Sequence, residues 1–169
     1  LSASGSNDKI AWYENDGSES FTDHVISTSG DNAISVYAVD VDGDGDMDVL
    51  SASARDDKIA WYENDGSENF TERVITTSAA VKGAYVAHAA DLDTDGDMDL
   101  LFVSYYYNVI YWFENDGSGN FTEHSISTST SHGSYSVYTA DMDADGDMDV
   151  VSASGPDDRI DWFENNGSE

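Results

Sequence analysis

Acidic residues recur in this chain at a spacing suited to holding a metal ion. Within residues 40–48, aspartates occupy positions 1, 3, 5, 7 and 9, and the same pattern recurs at 91–99 and 141–149. Position 6 is glycine in all three blocks, whereas position 4 is glycine, threonine or alanine. An oxygen cage for Ca²⁺ needs alternating ligands on one side of a tight turn, and glycine tolerates such a turn. The spacing therefore predicts three metal-binding loops.

The types of ligand in these loops favour calcium. In the first block, the expected ligands are the side chains of Asp40, Asp42, Asp44 and Asp48 and the carbonyl oxygen of Asp46. An all-oxygen set without histidine or cysteine selects a hard cation, and Mg²⁺ is less suited to a protein cage with many ligands. The alternative is that the blocks are solvated acidic turns. However, fifteen of the 35 acidic residues lie in these three blocks, and such crowding is strongly repulsive without a counter-ion.

The blocks differ from two other calcium-binding motifs. An EF-hand carries a bidentate glutamate at its twelfth position, where this chain has Ser51, Phe102 and Ser152. Each block is followed by a strand-like apolar segment, whereas an EF-hand loop is followed by a helix. Calcium-binding β-helices repeat about every nine residues, and this chain does not. Both motifs are therefore disfavoured.

The acidic blocks belong to a longer internal repeat. The segment Ile-Ala-Trp-Tyr-Glu-Asn at 10–15 recurs with small changes at 59–64, 110–115 and 160–165, with a period of 49 to 51 residues. The chain contains four tryptophan segments but three acidic blocks, so we expect it to begin and end within a repeat. A repeat of this length is typical of solenoids and propellers.

Each repeat is expected to form four short β-strands. In the second repeat the strands are expected at 34–39, 47–53, 58–63 and 70–76, which are rich in Val, Ile, Thr and aromatic residues. Trp61 and Tyr62 in the third strand point to opposite faces, so both faces of the sheet must be covered. A propeller blade packed between two neighbours meets this requirement, whereas a β-sandwich predicts one polar face and no strict repeat.

The predicted fold class is all-β, an arc of about three and a half four-stranded antiparallel blades. We expect a single β-propeller repeat region at 1–169, divided into a partial blade at 1–33, blades at 34–83 and 84–133, and a partial blade at 134–169. Propellers typically close with about four to eight blades. The ring would therefore be completed by further blades of the same protein or by a second copy of the chain, and the sequence leaves both open.

The pattern Asp-x-Asp-x-Asp-Gly-x-x-Asp, followed by an apolar strand and a tryptophan hairpin, resembles the FG-GAP/VCBS repeat family over essentially the whole chain. The resemblance implies a seven- or eight-bladed propeller with calcium in the loop between the first and second strands, as in integrin α-subunit heads and fungal propeller lectins. The Phe-Gly and Gly-Ala-Pro signatures are not evident, which favours the VCBS-like branch. Carried over by position, the implied ligands are Asp40, Asp42, Asp44, Asp46 and Asp48, then Asp91, Asp93, Asp95, Asp97 and Asp99, then Asp141, Asp143, Asp145, Asp147 and Asp149.

A surface for recognition is expected opposite the acidic loops. There, Arg-Asp-Asp at 55–57 is replaced in the next repeat by Tyr105, Tyr106 and Tyr107. Exposed tyrosine rings stack on sugars or on partner side chains, and variable loops on a rigid scaffold commonly carry recognition. These three tyrosines are the candidate ligand contacts. The alternative is that alternate rings pack against a neighbouring blade.

The remaining recurrent residues are expected to be structural. Tryptophan stands at the same place in every repeat, at 12, 61, 112 and 162, as a core residue would. His88 on the innermost strand is expected to be packed or to line the channel. The four histidines show no arrangement of nucleophile and base, so we expect no enzymatic activity. Sequons occur at Asn69, Asn120 and Asn166, and whether they are glycosylated depends on the source.

Composition narrows the class of partner. The net charge of −29, from 35 acidic and 6 basic residues, disfavours nucleic acid, and no apolar stretch approaches the roughly 18 to 20 residues of a membrane span. We expect an extracellular or cell-surface adhesion or recognition module whose partners are calcium and a glycan or protein. The alternatives are the propeller part of a calcium-dependent polysaccharide-degrading enzyme and a structural repeat of a surface assembly. The few basic residues weaken the enzyme reading, because a lyase needs cations beside its developing charge.

Overall fold

The computed structural model describes residues 1–127, 134–155 and 158–167. Within them the chain forms fourteen β-strands and one short 3₁₀ turn at Ala79–Val81. The first seven strands are β1 Ser2–Ser4, β2 Lys9–Asn15, β3 Phe21–Ser27, β4 Ala33–Val39, β5 Asp48–Ser53, β6 Lys58–Asn64 and β7 Phe70–Thr76. The others are β8 Ala84–Ala90, β9 Asp99–Ser104, β10 Val109–Asn115, β11 Phe121–Ser125, β12 Ser134–Ala140, β13 Asp149–Ser154 and β14 Arg159–Phe163.

The strands form four antiparallel sheets in which strands consecutive in sequence are neighbours. We number these sheets as blades in chain order. Blade 1 is β1 to β3, blade 2 is β4 to β7, blade 3 is β8 to β11 and blade 4 is β12 to β14. The first strands of blades 2, 3 and 4 lie side by side along the inside of the arc. The structure therefore confirms the predicted all-β propeller arc.

Consecutive blades pack face to face through apolar side chains. Between blades 2 and 3, Trp61 packs with Phe102 and Phe113, and the ring of Phe121 lies 6.5 Å from the indole of Trp61. On the opposite face of blade 2, Tyr62 packs with Ile10 of blade 1. Both faces of β6 are thus covered, as the alternating apolar residues of this strand predict.

The tryptophans are not all core residues. Trp61 is 3% exposed, but Trp162 in blade 4 is 49% exposed, and its neighbour Ile160 is 78% exposed although Ile59 is fully buried. The cause is position in the arc, because no described residue beyond blade 4 covers this face. Trp12 and Trp112 are partly buried and stack on histidines of the adjoining strands. The expectation that every repeated tryptophan is core is therefore wrong for Trp162.

His88 is a packed residue on the inner strand β8. Its ring lies 5.0 Å from that of Tyr37 and 5.5 Å from that of Tyr138, so it contacts both neighbouring blades. Its Nε2 lies 3.1 Å from the hydroxyl of Thr139. Burial lowers the pKa of His88 below its usual value, because the charged form loses solvation. This agrees with the structural role expected from sequence.

A buried lysine joins blade 1 to blade 2. The Nζ of Lys58 donates to the carbonyl oxygen of Ser29, at 3.0 Å, and to Oε1 of Glu72, at 2.8 Å. Burial alone would lower the pKa of Lys58, but the hydrogen bond to Glu72 and the nearby carboxylates raise it. The lysine therefore stays charged and holds the loop after β3 against blade 2.

Replacing Lys58 by methionine should lower the free energy of unfolding by about 1–3 kcal/mol. This loss in the free energy of unfolding is smaller than for a fully buried ion pair, because Glu72 is partly exposed. Lys9→Met is the matched control. Lys9 occupies the same repeat position and also pairs with a carboxylate of its own blade, Asp23, but at a more exposed site. Lys58 in addition binds the carbonyl oxygen of Ser29 between the blades. Urea unfolding of both variants measures the difference, and equal losses would contradict a role at the blade junction.

Candidate metal loops and aromatic surface

Each acidic block forms the loop between the first and second strands of a blade. The loops join β4 to β5, β8 to β9 and β12 to β13. The glycine at position 6 has a left-handed backbone in each, with φ of 95° at Gly45, 100° at Gly96 and 103° at Gly146. This agrees with the tight turn inferred from sequence. Position 4 is also left-handed, including Thr94 and Ala144, for which this conformation is strained.

Three carboxylates of each loop converge on one point. The aspartates at positions 1, 3 and 9 each offer an oxygen, and these oxygens lie within 4.8 Å of one another. The three triads are Asp40, Asp42 and Asp48; Asp91, Asp93 and Asp99; and Asp141, Asp143 and Asp149. Oxygen ligands this close are suited to a hard divalent cation. The arrangement can hold a metal ion in each of the three loops.

The other two aspartates of each block are placed differently. At position 5, Oδ1 of Asp44 accepts the backbone N–H of Asp46 at 2.9 Å, as part of the turn. At position 7, the carboxylate of Asp46 packs against Gly66 in the hairpin of the same blade, so closely that a side chain at Gly66 would collide with it. The remaining members of these two sets are Asp95 and Asp145 at position 5, and Asp97 and Asp147 at position 7.

Hydrogen bonds within the loop hold the converging carboxylates in place. Asp40 accepts the backbone N–H groups of Gly43, at 2.9 Å, and of Gly45, at 3.0 Å. Asp48 is fully buried and accepts the N–H groups of Val41, at 3.1 Å, and of Asn64, at 2.7 Å. The second of these bonds attaches the loop to the end of the third strand. The sequence gives no direct sign of this attachment.

Burial and crowding disfavour negative charge in the loops. Burial raises the pKa of Asp99 to about 6, against the opposing effect of the N–H groups of Asn115 and Leu92, and the charge of Asp93 raises it further. Asp149 in blade 4 is also inaccessible to solvent, but there the N–H groups of Asn165 and Met142 lower its pKa by more than burial raises it. A bound cation would relieve the cost of ionising Asp99.

The three candidate tyrosines form an exposed turn between β9 and β10. Tyr105, Tyr106 and Tyr107 are 40%, 64% and 50% exposed. Tyr106 lies over Gly83, where a Cβ would be 2.5 Å from its ring, and the ammonium of Lys82 lies 5.6 Å from the ring centre. All three rings therefore reach the surface, while Tyr106 also packs on its own blade.

Tyr105 belongs to an aromatic cluster that spans two blades. Its ring centre lies 5.6 Å from that of Tyr85 in β8 and 5.9 Å from that of Tyr135 in β12, with the Tyr135 ring nearly parallel. Tyr85 and Tyr135 are themselves 5.7 Å apart. We call Tyr85, Tyr105, Tyr106 and Tyr135 the tyrosine platform. Sequence reasoning missed Tyr85 and Tyr135, whose only signal is a shared position near the start of the first strand.

The repeated four-stranded blades and carboxylate loops define a β-propeller repeat protein with candidate metal sites. The FG-GAP-like repeat matches residues 1–51, 40–102 and 91–152, and the chain belongs to this family. The family inferred from the acidic loops and tryptophan hairpins is thus confirmed. No curated protein matches the chain. Among the described residues, no helix has the length and apolar character needed to cross a membrane.

A solved structure shares the fold. It is that of a lectin from Agrocybe aegerita, described as the structural basis of specific recognition of non-reducing terminal N-acetylglucosamine. The two structures align with a TM-score of 0.60 at 15% sequence identity. The alignment covers 86% of this chain and 42% of the lectin chain, so this chain spans less than half of that protein. At this identity the likeness establishes the fold alone.

Replacing Gly117 by alanine should test the contact between hairpin and loop. The new Cβ would collide with the carboxylate of Asp97, and φ is 69° at Gly117. Gly17→Ala is the matched control, because φ is 79° there and nothing lies within 4 Å of the added Cβ. We expect about 1–2 kcal/mol of backbone strain in each variant and a further loss only at Gly117. Equal melting temperatures for the two variants would show that the contact contributes nothing.

Proposed function

We propose that this chain is part of a non-catalytic recognition module at the cell surface or outside the cell, in which calcium stiffens the blades and the tyrosine platform contacts a glycan. The observation that carries the proposal is the cluster of tyrosine rings shared by blades 3 and 4. A contact surface built from two blades keeps its shape only if the blades are held rigidly together. The metal loops are the feature suited to supply that rigidity.

Calcium is the cation proposed for the three loops. Each triad presents carboxylate oxygens only, and hydrogen bonds from backbone N–H groups already orient all three carboxylates in the loop of blade 2. Ca²⁺ accepts many oxygen ligands in flexible geometry, whereas Mg²⁺ demands a near-ideal octahedron and keeps several waters. Membership of the FG-GAP-like family adds support for calcium and for a place outside the cell.

A neutral glycan is the favoured ligand. Exposed aromatic faces stack on the apolar face of a sugar ring. In the platform, the Tyr105 ring of the turn packs on Tyr85 and Tyr135, which lie on strands of neighbouring blades. The net charge of −29 would repel an anionic glycan. The lectin that shares this fold is described as recognising a terminal N-acetylglucosamine, and it supports a carbohydrate ligand by analogy. Catalysis is not part of the proposal.

Removing calcium should lower the stability of the protein. We expect about one Ca²⁺ per acidic loop, with dissociation constants on the order of 10⁻⁴ to 10⁻³ M. At ten times the dissociation constant, each site should add about 1.4 kcal/mol to the free energy of unfolding. Calorimetric titration of chelator-treated protein and its melting temperature with calcium or magnesium measure this. The calcium assignment fails if calcium produces neither heat nor a thermal shift.

Exchanging the three tyrosines at 105–107 for Ala-Arg-Asp, the residues at 54–56 of blade 2, should abolish glycan binding. Ser53 pairs with Lys58 and Ser104 pairs with Val109, so both turns have four residues and 105–107 correspond to 54–56, one residue before the Arg-Asp-Asp expected from sequence. Calcium stoichiometry should therefore be unchanged, and the melting temperature should fall only by the loss of the contacts of Tyr105 and Tyr106. Tyr13→Ser is the control, since it removes an exposed tyrosine from blade 1. An array of neutral and sialylated glycans, probed in calcium, provides the measurement. Unchanged glycan binding by the exchanged protein would refute the proposal that the tyrosine platform contacts the glycan.

A further inference from the structure

A buried asparagine at the end of the third strand joins the acidic loops of two blades. Asn115 is 1% exposed, and its side-chain amide donates to the carbonyl oxygen of Val41 in blade 2, at 3.1 Å. The same amide donates to the carbonyl oxygen of Met98 in its own blade, at 3.2 Å. Val41 is position 2 of the preceding loop, between the ligand positions Asp40 and Asp42. The bond therefore acts on the backbone that carries two candidate ligands.

The path continues from Asn115 to a carboxylate of its own loop. The backbone N–H of Asn115 donates to Oδ1 of Asp99 at 2.8 Å, and the N–H of Leu92 donates to Oδ2 at 3.0 Å. At the other end, the N–H of Val41 donates to Oδ2 of Asp48 at 3.1 Å. Three hydrogen bonds, joined through the residues Val41 and Asn115, thus connect the triad of blade 2 to the triad of blade 3.

The same connection recurs between blades 3 and 4. The side-chain amide of Asn165 donates to the carbonyl oxygen of Leu92 at 2.8 Å, and its backbone N–H donates to Oδ1 of Asp149 at 2.8 Å. Asn64 occupies the same position in blade 2, where its amide donates to Met47 of its own blade. The described residues contain two junctions between adjacent acidic loops, and the cross-blade bond is present at both.

These bonds are hard to replace with water. Val41 and Leu92 are 2% and 4% exposed, and their side chains pack in the apolar clusters between blades. A buried carbonyl that loses its only donor is not readily solvated, and such a loss costs about 1–3 kcal/mol. Movement of the Val41 peptide therefore has to be accompanied by movement of Asn115. The two loops cannot rearrange independently.

We propose that Asn115 and Asn165 couple neighbouring calcium sites, so that binding in one loop raises the affinity of the next. The inference rests on the proposal that the loops bind calcium. Ligation by Asp40 and Asp42 fixes the peptide of Val41 between them, which fixes the amide of Asn115 and, through its backbone, the carboxylate of Asp99. Coupling is reciprocal, because linkage requires each site to affect the other equally. Direct repulsion between two bound cations has the opposite sign, so positive coupling needs this structural path.

The experiment follows each loop separately during a calcium titration. The backbone amides of Gly45, Gly96 and Gly146 provide one NMR reporter per loop. Asp42→Asn disables the loop of blade 2, and we expect it to weaken calcium binding at Gly96 by about five-fold or more. In a protein that also carries Asn115→Ala, Asp42→Asn should no longer affect Gly96.

Asn64→Ala is the matched control. It removes the bond to Met47 but no cross-blade bond, so it should weaken binding at Gly45 and leave the effect of Asp42→Asn on Gly96 intact. If Asn115→Ala does not fold, Asn165→Ala tests the junction of blades 3 and 4, with Asp93→Asn as the disabling change and Gly146 as the reporter. Calcium binding in which the loops of the unsubstituted protein respond independently would overturn the coupling and leave the calcium assignment standing. Failure of all three glycines to respond to calcium would overturn both.

Discussion

The blades depend on a buried aspartate at the start of the second strand. Asp48, Asp99 and Asp149 are each fully buried. Each accepts one N–H from its own acidic loop and one from the last residue of the third strand or, in blade 4, from Asn165 just beyond it. A carboxylate removed from water in this way must be compensated by donors or by a cation. The same group therefore closes the loop, anchors the third strand and serves as a candidate metal ligand. Fold and site cannot be separated at this residue.

The repeat made much of the fold predictable. The strands expected at 34–39 and 70–76 are observed at Ala33–Val39 and Phe70–Thr76, because alternation of apolar residues and the flanking turns determine their limits. The acidic blocks were identifiable for the same reason. Ligand spacing is local in sequence, and the glycine at position 6 reports a backbone conformation that few other residues adopt.

Features that depend on neighbouring blades were not predictable. Tyr85 and Tyr135 join Tyr105 only because adjacent inner strands bring together residues that are far apart in sequence. The bond from Asn115 to Val41 spans 74 residues for the same reason. Exposure of Trp162 depends on what covers the last blade, which its own sequence does not encode. The left-handed backbone of Thr94 was not predictable, because a β-branched residue rarely adopts this conformation.

Near-identical blades also create a problem of order during folding. The apolar face of one blade would accept the facing surface of almost any other, since both faces recur along the chain with similar residues. Of the residues that form the link from Lys58 to Ser29 and Glu72, the lysine does not recur at the later junctions: its position is taken by Val109 in blade 3 and by Arg159 in blade 4. Glu72 belongs to the same blade as Lys58, so a wrong pairing would remove only the bond to the carbonyl oxygen of Ser29. The buried lysine thus distinguishes the junction of blades 1 and 2 from the later junctions.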